Sequence, residues 1–200
     1  MSLPSNRLSV IVLVVAAVIP LHAATVSRES ADEFSMKVAL IQRQGDMTDR
    51  VGTLRTRLTE DELNSWLMYE AQPLLPAGLA QPQITIVGEG QLAAQAIVDL
   101  DAVARQRAPS GTFDPFSLIS GTVPVTVTGM LHSGDGMARF EVQRAEVAGI
   151  PVPVAVLQDL ALYYSRTPER PQGVILNDPF PLPAGILQIE VDQGQAIVVQ

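Results

Sequence analysis

The spacing of apolar residues changes along the chain, and it predicts helices in some segments and strands in others. From Ser27 to Gly45 the apolar positions recur every three or four residues, which predicts an amphipathic helix that ends at Gly45. The same spacing predicts a helix over 60–72, with an apolar stripe of Leu63, Trp66, Leu67, Ala71 and Leu74. A third helix is predicted to follow Pro153, with a stripe of Val156, Leu157, Leu160, Tyr163 and Tyr164.

Three later segments alternate between apolar and polar residues, which is the period of a strand. Each is interrupted by a glycine-containing turn: "GEG" (88–90), "HSGDGM" (132–137) and "DQG" (192–194). Such hairpins indicate an antiparallel sheet with one face on a core, and a further short strand is expected within 50–58. The pattern therefore predicts a single α+β domain over 25–200, with an antiparallel curved meander sheet of hairpins packed on two or three amphipathic helices. Residues 25–49 would form its N-terminal helix, and 50–200 the sheet and the other helices.

One short stretch, "LTEDELNSWL" (58–67), joins three acidic residues to the start of an apolar run. The carboxylates of Glu60, Asp61 and Glu62 could hold a cation, or the stretch could simply begin a helix. Thr59 and Glu62 have the spacing of a capping box, in which each side chain accepts a hydrogen bond from the other residue's backbone amide. Consecutive helical residues point about 100° apart, so three of them do not converge on one ion. The cap is the favoured interpretation.

The first 24 residues are organised like an export signal. Arg7 precedes a 12-residue apolar run (8–19), and Pro20 and the small residues Ala23 and Ala24 follow it. The run is shorter than the ~20 residues that span a bilayer, so cleavage is favoured over retention as an N-terminal anchor. In both cases the sequence predicts an exported protein of the periplasm or cell envelope.

Composition excludes several classes of function. The chain has 200 residues, of which 47% are apolar and 17% charged, so it can bury a sizeable core and is not typical of disordered proteins. Its net charge of −8 argues against nucleic-acid binding and against lipid binding driven by overall charge. The absence of cysteine excludes disulfides, a thiolate nucleophile and cysteine-ligated metals. We expect no cofactor and no metal.

Candidate catalytic residues are few. His132 is the only histidine outside the first 24 residues, and it falls in a predicted turn, where an exposed and non-catalytic histidine is favoured. Asp99 and Asp101 would lie about 6.6 Å apart on one strand face, a separation that some glycosidases use. They would point away from the apolar face, however, and no aromatic residue flanks them. The sequence therefore predicts that the protein is not an enzyme.

The large number of apolar residues is the feature that points most directly to a function. Two helical stripes and a strand face with small residues could line a groove for an acyl chain, or they could close as a dry core. For the groove, the candidate ligand-binding residues are Leu63, Trp66, Leu67, Val156, Leu160 and Tyr164. The alternative is an envelope scaffold or protein-interaction module with a dry core, which would use Phe113 and Phe116 in the loop 102–120.

The order of several strings also resembles a known group of proteins. These strings are "LTEDELNSWL" with "LPAGL", "VGEGQLAAQAIVDLD", "SGTVPVTVTGML" and "DPFPLPAGILQIEVDQGQAIVVQ". Over about residues 50–200 the chain resembles uncharacterised bacterial envelope proteins and, more broadly, the tubular lipid-binding (TULIP-like) superfamily and the actinobacterial phospholipid-binding lipomannan-elongation accessory proteins. The resemblance implies a long curved sheet wrapped on a helix, an apolar groove for lipid and no catalytic residues. We therefore expect an exported, non-catalytic domain that binds a hydrophobic ligand, a lipid, in the cell envelope.

Overall fold

A computed structural model describes residues 25–47, 52–75, 78–99, 101–102, 121–164 and 175–200. In this part of the chain the predicted α+β class is confirmed. Its helices are α1 (Arg28–Gly45), α2 (Glu60–Tyr69) and α3 (Val154–Tyr164), with a 3-10 turn at Gln72–Leu74. Its strands are β1 (Arg55–Thr59), β2 (Leu79–Gly88), β3 (Gln91–Asp99), β4 (Thr122–Gly134), β5 (Met137–Val147), β6 (Ile150–Pro151), β7 (Phe180–Pro181), β8 (Gln188–Asp192) and β9 (Gln195–Val199).

The strands form two antiparallel sheets instead of one. Strands β2 to β6 follow each other in chain order in a six-stranded sheet, and β7 pairs with β5 beside them. The third hairpin, β8–β9, pairs with β1 in a separate three-stranded sheet of order β1-β9-β8. All three predicted hairpins are confirmed, but the sequence did not indicate this division. Alternation fixes the faces of a strand, whereas the partner of β9 is set by a pairing between distant parts of the chain, from Arg55 with Val199 to Thr59 with Gln195.

The three-stranded sheet packs on α1 around a small apolar core. Its buried members are Ile41, Ile186 and Val198, with Leu58, Leu182, Ala184 and Ile189 packed against them. The helix ends close to the chain that leads into β8, because a Cβ atom on Gly45 would lie 2.6 Å from the backbone of Ala184. The apolar spacing predicts an inner face of Ala31, Phe34, Val38 and Ile41 for α1, and in the structure three of these are buried while Val38 is half-buried.

Helix α2 begins with the predicted capping box. The Thr59 hydroxyl accepts a hydrogen bond from the Glu62 amide, and the Glu62 carboxylate accepts one from the Thr59 amide. The favoured interpretation of "LTEDELNSWL" is therefore confirmed. The cap also joins α2 to α1, since Lys37 of α1 donates to the Glu62 carboxylate.

The inner side of α2 differs from the prediction. The residues that it buries are Glu62, Asn64 and Ser65, whereas Leu63, Trp66 and Leu67 are half-buried and Leu74 is 72% exposed. The reason is that α2 lies between another helix and the open edge of a sheet. Ser65 accepts a hydrogen bond from the Ser27 amide at the start of α1, and Asn64 bonds the backbone of β2. Backbone groups next to α2 need polar partners, so its polar residues are the ones in the interior.

The edge of the six-stranded sheet at β2 is closed by side chains of α2. The Asn64 amide donates to the Ile84 carbonyl at 2.7 Å and accepts from the Ile84 amide at 2.8 Å, which reproduces the bonds of a neighbouring strand. Two positions further along, the Ile86 amide donates to the Glu60 carboxylate at 2.7 Å. The Ile86 carbonyl accepts from the Gly194 amide at the β8–β9 turn. Edge strands leave such groups unpaired unless another element covers them.

At the opposite edge of the sheet, different elements cover different parts of β5. Strand β7 pairs with one end of β5 and β6 pairs with the other. Between them, the Val142 amide donates to the Asn177 side chain, and the Ala145 carbonyl accepts from the Val152 amide.

The buried carboxylate of Glu62 makes the stability of the α1–α2 pair depend on pH. Burial acts to raise the Glu62 pKa, but the hydrogen bonds from Lys37 and the Thr59 amide and the charge of Lys37 outweigh it and hold the pKa below 4.5. The folded state therefore binds this proton less tightly than the unfolded state. The stabilisation is fully present above about pH 4.5 and is lost as the pH falls through the folded pKa.

We expect Glu62→Gln to lower the free energy of unfolding by about 1 to 2 kcal/mol at pH 7, because a charge-assisted hydrogen bond is lost. Below about pH 4.5 the difference from the wild type shrinks, since the wild-type carboxylate then becomes neutral as well. Urea unfolding from pH 7 to pH 3 measures both effects, with Glu89→Gln, an exposed turn residue, as the matched control. A wild-type-minus-variant difference that stays constant with pH would contradict this assignment.

Candidate apolar ligand site

One face of the six-stranded sheet is apolar across four strands. Directly paired residues of antiparallel strands share a face, so the register defines rows of side chains across the sheet. These rows are Ile84–Ala94–Val127–Ala145, Ala96–Val125–Val147 and Val98–Val123. We call this set of nine side chains the sheet face. Its small residues, Ala94 and Ala96 in β3 and Ala145 in β5, project less far from the sheet than the valines of β4 do.

The sheet face is only partly covered. At the end next to the three-stranded sheet, Ile86, Ala138 and Val142 are buried. In the rows of the sheet face, Ala145 alone is buried, and the other eight side chains are half-buried. Among all described residues, Ser65 is the largest side chain with less than 2% exposure. The described part of this apolar chain therefore leaves much apolar surface within reach of a ligand.

At the buried end of the same face, Gly129 lies between its directly paired residues Leu92 and Val142. Because glycine has no side chain, neighbouring groups pack closely against it. A Cβ atom on Gly129 would lie 2.4 Å from the Glu141 carbonyl oxygen and 2.6 Å from the Phe140 ring. The Phe140 ring therefore lies over the glycine and closes this end of the face. The rows of the sheet face continue from there toward the start of β4.

The predicted ligand residues of α2 do not all point toward this face. The Trp66 ring lies 5.5 Å from the Phe34 ring of α1, within the interface between the two helices. Leu63 and Leu67 lie one turn apart and are half-buried, on a helix that packs on β2. For Trp66 this position supports the core alternative that the sequence left open.

The predicted residues of α3 lie at the other side of the sheet. This helix packs on β5, which is separated from β2 by β3 and β4, and Val156 is half-buried. The side chains of Leu160 and Tyr164 lie outside the described residues, as do Phe113 and Phe116 of the loop 102–120. Sequence reasoning noted the alternation in β3 and β4 but did not include Val98, Val123, Val125, Val127 or Val147 among the ligand residues. The alternation that places these valines on one face of their strands was the sequence signal that could have identified them.

A polar pocket of about 360 Å³ opens beside the β2–β3 and β8–β9 turns. Its lining includes the exposed carboxylates of Glu89 and Asp192 and the amides of Gln91 and Gln193. The two turns are held together where the Gly90 amide donates to the Val191 carbonyl at 3.2 Å. Of the predicted ligand residues whose side chains the structure describes, Leu63, Trp66, Leu67 and Val156, none lines this pocket. Its polar and open character suits water better than an acyl chain.

The weak catalytic candidates are placed apart from one another. Contrary to the prediction, His132 lies within β4, where it is exposed and its Nε2 is 3.4 Å from a Glu141 oxygen on the neighbouring strand. Asp101 lies beyond the end of β3, so it does not share a strand face with Asp99. Each carboxylate instead accepts a backbone hydrogen bond where the chain turns, Asp99 from Ala102 and Asp101 from Gly121.

Within the ranges given above, no three histidine, aspartate or glutamate side chains are placed to share a metal ion. Among the described helices, none has the length and apolar content that crossing a membrane requires. The chain matches no known protein family, no curated protein and no solved structure.

Proposed function

We propose that this protein is an exported, non-catalytic domain that binds a hydrophobic ligand, a lipid with at least one acyl chain, in the cell envelope. The observation that supports this most is the sheet face, whose aliphatic side chains share one side of four strands and remain half-buried. The resemblance to tubular lipid-binding proteins, which implies a long curved sheet wrapped on a helix with an apolar groove, is a second reason for the proposal. The leader-like residues 1–24 support the location.

The binding energy would come from removing acyl methylenes and the sheet face from water together. Each buried methylene contributes about 0.8 kcal/mol, and association costs at least about 4 kcal/mol. Ten buried methylenes would therefore contribute about −8 kcal/mol, which leaves a net free energy of about −4 kcal/mol at best before burial of the sheet face is added. The ligand need not carry charge, because the described rows contain only aliphatic side chains.

The first test is the amount of lipid that co-purifies with the protein. We expect native mass spectrometry of the full chain to detect bound lipid, which solvent extraction then identifies. Ala96→Arg places a cation in the middle of the sheet face and should lower lipid occupancy at least about tenfold, because an unpaired charge is costly in an apolar site. Gln95→Arg is the matched control, since Gln95 is the preceding residue, is exposed, and points to the opposite face.

Two results would count against the proposal. One is a wild-type protein that carries no lipid after purification from its native envelope and gains none from mixed lipid micelles. The other is equal loss of lipid in Ala96→Arg and Gln95→Arg. A protein partner that covers Ala96 while lipid is absent would instead establish the interaction-module alternative.

A further inference from the structure

The outer edge of β1 carries backbone groups that have no partner in the described part of the chain. Strand β1 lies at the end of the three-stranded sheet and has β9 on one side only. Leu54 and Gln200 exchange both of their backbone hydrogen bonds, at 2.9 Å, and such pairs alternate with unbonded pairs along an antiparallel ladder. Arg55 and Arg57 fall at the unbonded positions, so their N–H and C=O groups point away from β9. We call these four groups the β1 edge.

The β1 edge is accessible and has a defined end. Arg55 and Arg57 are exposed, as are residues 52–54 before them. The next outward amide, that of Thr59, donates to the Glu62 carboxylate at 3.0 Å, which closes the run at the start of α2. What remains are two donors and two acceptors that repeat every second residue. The backbone of another extended chain is the group that matches this repeat.

The other edge of the same sheet shows how a closed edge differs. There the Ser133 hydroxyl accepts a hydrogen bond from the Ile189 amide and donates one to the Ile189 carbonyl, both at 2.8 Å. Strand β8 is thereby joined to the six-stranded sheet. No described residue makes such bonds to the β1 edge.

The side chains beside the β1 edge differ between the two faces of the sheet. Leu58 packs against the core on the inner face, and Leu54 shares that face because strand residues four apart point the same way. Leu54 is nevertheless 38% exposed. On the outer face Arg55 is ion-paired with Glu190, whereas Arg57 has no ion-pair partner among the described residues. An added strand would thus meet an uncovered leucine on one face and an unpaired guanidinium on the other.

We propose that the β1 edge binds an extended segment of a partner protein, which adds to the three-stranded sheet as a fourth strand. In the antiparallel register, an acidic residue of the segment lies opposite Arg57 and an apolar residue lies opposite Leu54. Four backbone hydrogen bonds hold the segment, and these two side chains select it. This inference goes beyond the proposed function and does not require the sheet face to hold lipid.

A second copy of the chain fits the β1 edge less well. Two β1 strands paired antiparallel about a twofold axis would place arginines of one copy directly opposite or diagonal to arginines of the other. Like charges in these positions are destabilising, whereas an acidic side chain opposite Arg57 is favourable. The arginines therefore allow an acidic segment to add while they oppose self-association.

Hydrogen exchange measured by NMR on the full chain tests the proposal residue by residue. The probe is the blocked peptide Ser-Glu-Val-Thr-Val-Thr, whose glutamate would lie opposite Arg57 and whose second valine would lie opposite Leu54. Without peptide, the amides of Arg55 and Arg57 should exchange rapidly. The amides of Thr56 and Leu58 bond to β9 and should be protected throughout. Peptide at about four times its dissociation constant should slow the exchange of Arg55 and Arg57 about fivefold.

Two modified peptides provide a matched pair. N-methylation of the glutamate and of the threonine between the valines removes the amides that would point toward β1, and it should abolish the slowing. N-methylation of the two valines removes amides that would point away from β1, and it should leave most of the slowing.

Arg57→Glu tests the selection by side chains. It should weaken binding of the glutamate peptide about fivefold and strengthen binding of a peptide with lysine in that position, because it reverses the charge opposite this residue. Arg139→Glu makes the same change of charge at an exposed position of the six-stranded sheet and should leave both affinities unchanged. Equal effects of the two variants would overturn the assignment of an acidic residue opposite Arg57.

Three other results would overturn the proposal. They are protection of the Arg55 and Arg57 amides without peptide, exchange that the peptide leaves unchanged up to its solubility limit, and equal loss of binding by the two N-methylated peptides. In the first case, protection that rises with protein concentration would assign the β1 edge to a second copy of the chain. Lipid occupancy is measured on the Ala96→Arg protein, so failure of the sheet-face proposal can be distinguished from failure of strand addition.

Discussion

Gly129→Ala is expected to lower the free energy of unfolding by about 3 kcal/mol, the upper part of the usual range for overpacking. The backbone conformation at Gly129 is not the cause, because its φ is not in the left-handed region. The cause is the missing space, since a methyl group would meet the Glu141 carbonyl oxygen at 2.4 Å and the Phe140 ring at 2.6 Å. A carbonyl oxygen of the paired strand cannot move without disturbing the β4–β5 ladder.

Urea unfolding followed by circular dichroism measures this effect. Gly134→Ala is the control on the same strand, because no atom lies within 4 Å of the Cβ position at Gly134. The control should change stability by less than about 0.5 kcal/mol. If both alanine variants unfold at the same urea concentration, the closure of the sheet by Phe140 over Gly129 is not the source of stability at this end.

Asn64→Leu is expected to cost about 3 kcal/mol, although the side chains are similar in size and leucine is the better helix former. The substitution leaves the amide and carbonyl of Ile84 without their partners at 2.8 and 2.7 Å, on an edge that α2 shields from water. Each buried group left unpaired costs about 1 to 3 kcal/mol. Improved helix propensity returns only a few tenths of a kcal/mol.

Hydrogen exchange of the Ile84 amide separates this cause from a general loss of packing. In Asn64→Leu that amide should exchange faster even when the sample is stable, while amides in β4 exchange at rates set by global unfolding. Gln83→Leu, at an exposed neighbouring position on β2, introduces the same side chain and should leave Ile84 protected. An unchanged Ile84 exchange rate in Asn64→Leu would show that the side-chain bonds do not close this edge.

The parts of the fold that depend on nearby residues could be predicted from the sequence. The capping box of Thr59 and Glu62, the inner face of α1 and the three hairpin turns each involve residues only a few positions apart, and all are confirmed. The burial of Asn64 and Ser65 could not be predicted in this way. Their partners, Ile84 and Ser27, lie on other elements, and periodicity alone assigns such polar residues to solvent.

The candidate site was predictable only in part, for a similar reason. Alternation placed Ala94 and Ala96 on one face of their strand and Val123, Val125 and Val127 on one face of theirs, but it could not specify whether another element covers those faces. A helical stripe likewise does not specify its neighbour, so the sequence left open whether Trp66 lines a groove or packs in a core, as it does against the ring of Phe34. The degree of burial depends on tertiary contacts, and it is this quantity that distinguishes a groove from a core.

Several separate elements cover the edge of the sheet at β5, and this limits how another chain could bind to the protein. Strand addition requires a run of free backbone donors and acceptors along a sheet edge. On β5, the pairings with β7 and β6 and the bonds to Asn177 and Val152 interrupt any such run, and α2 does the same at β2. At these two edges the fold therefore resists amyloid-like stacking and domain swapping, an advantage for a chain with this much accessible aliphatic surface.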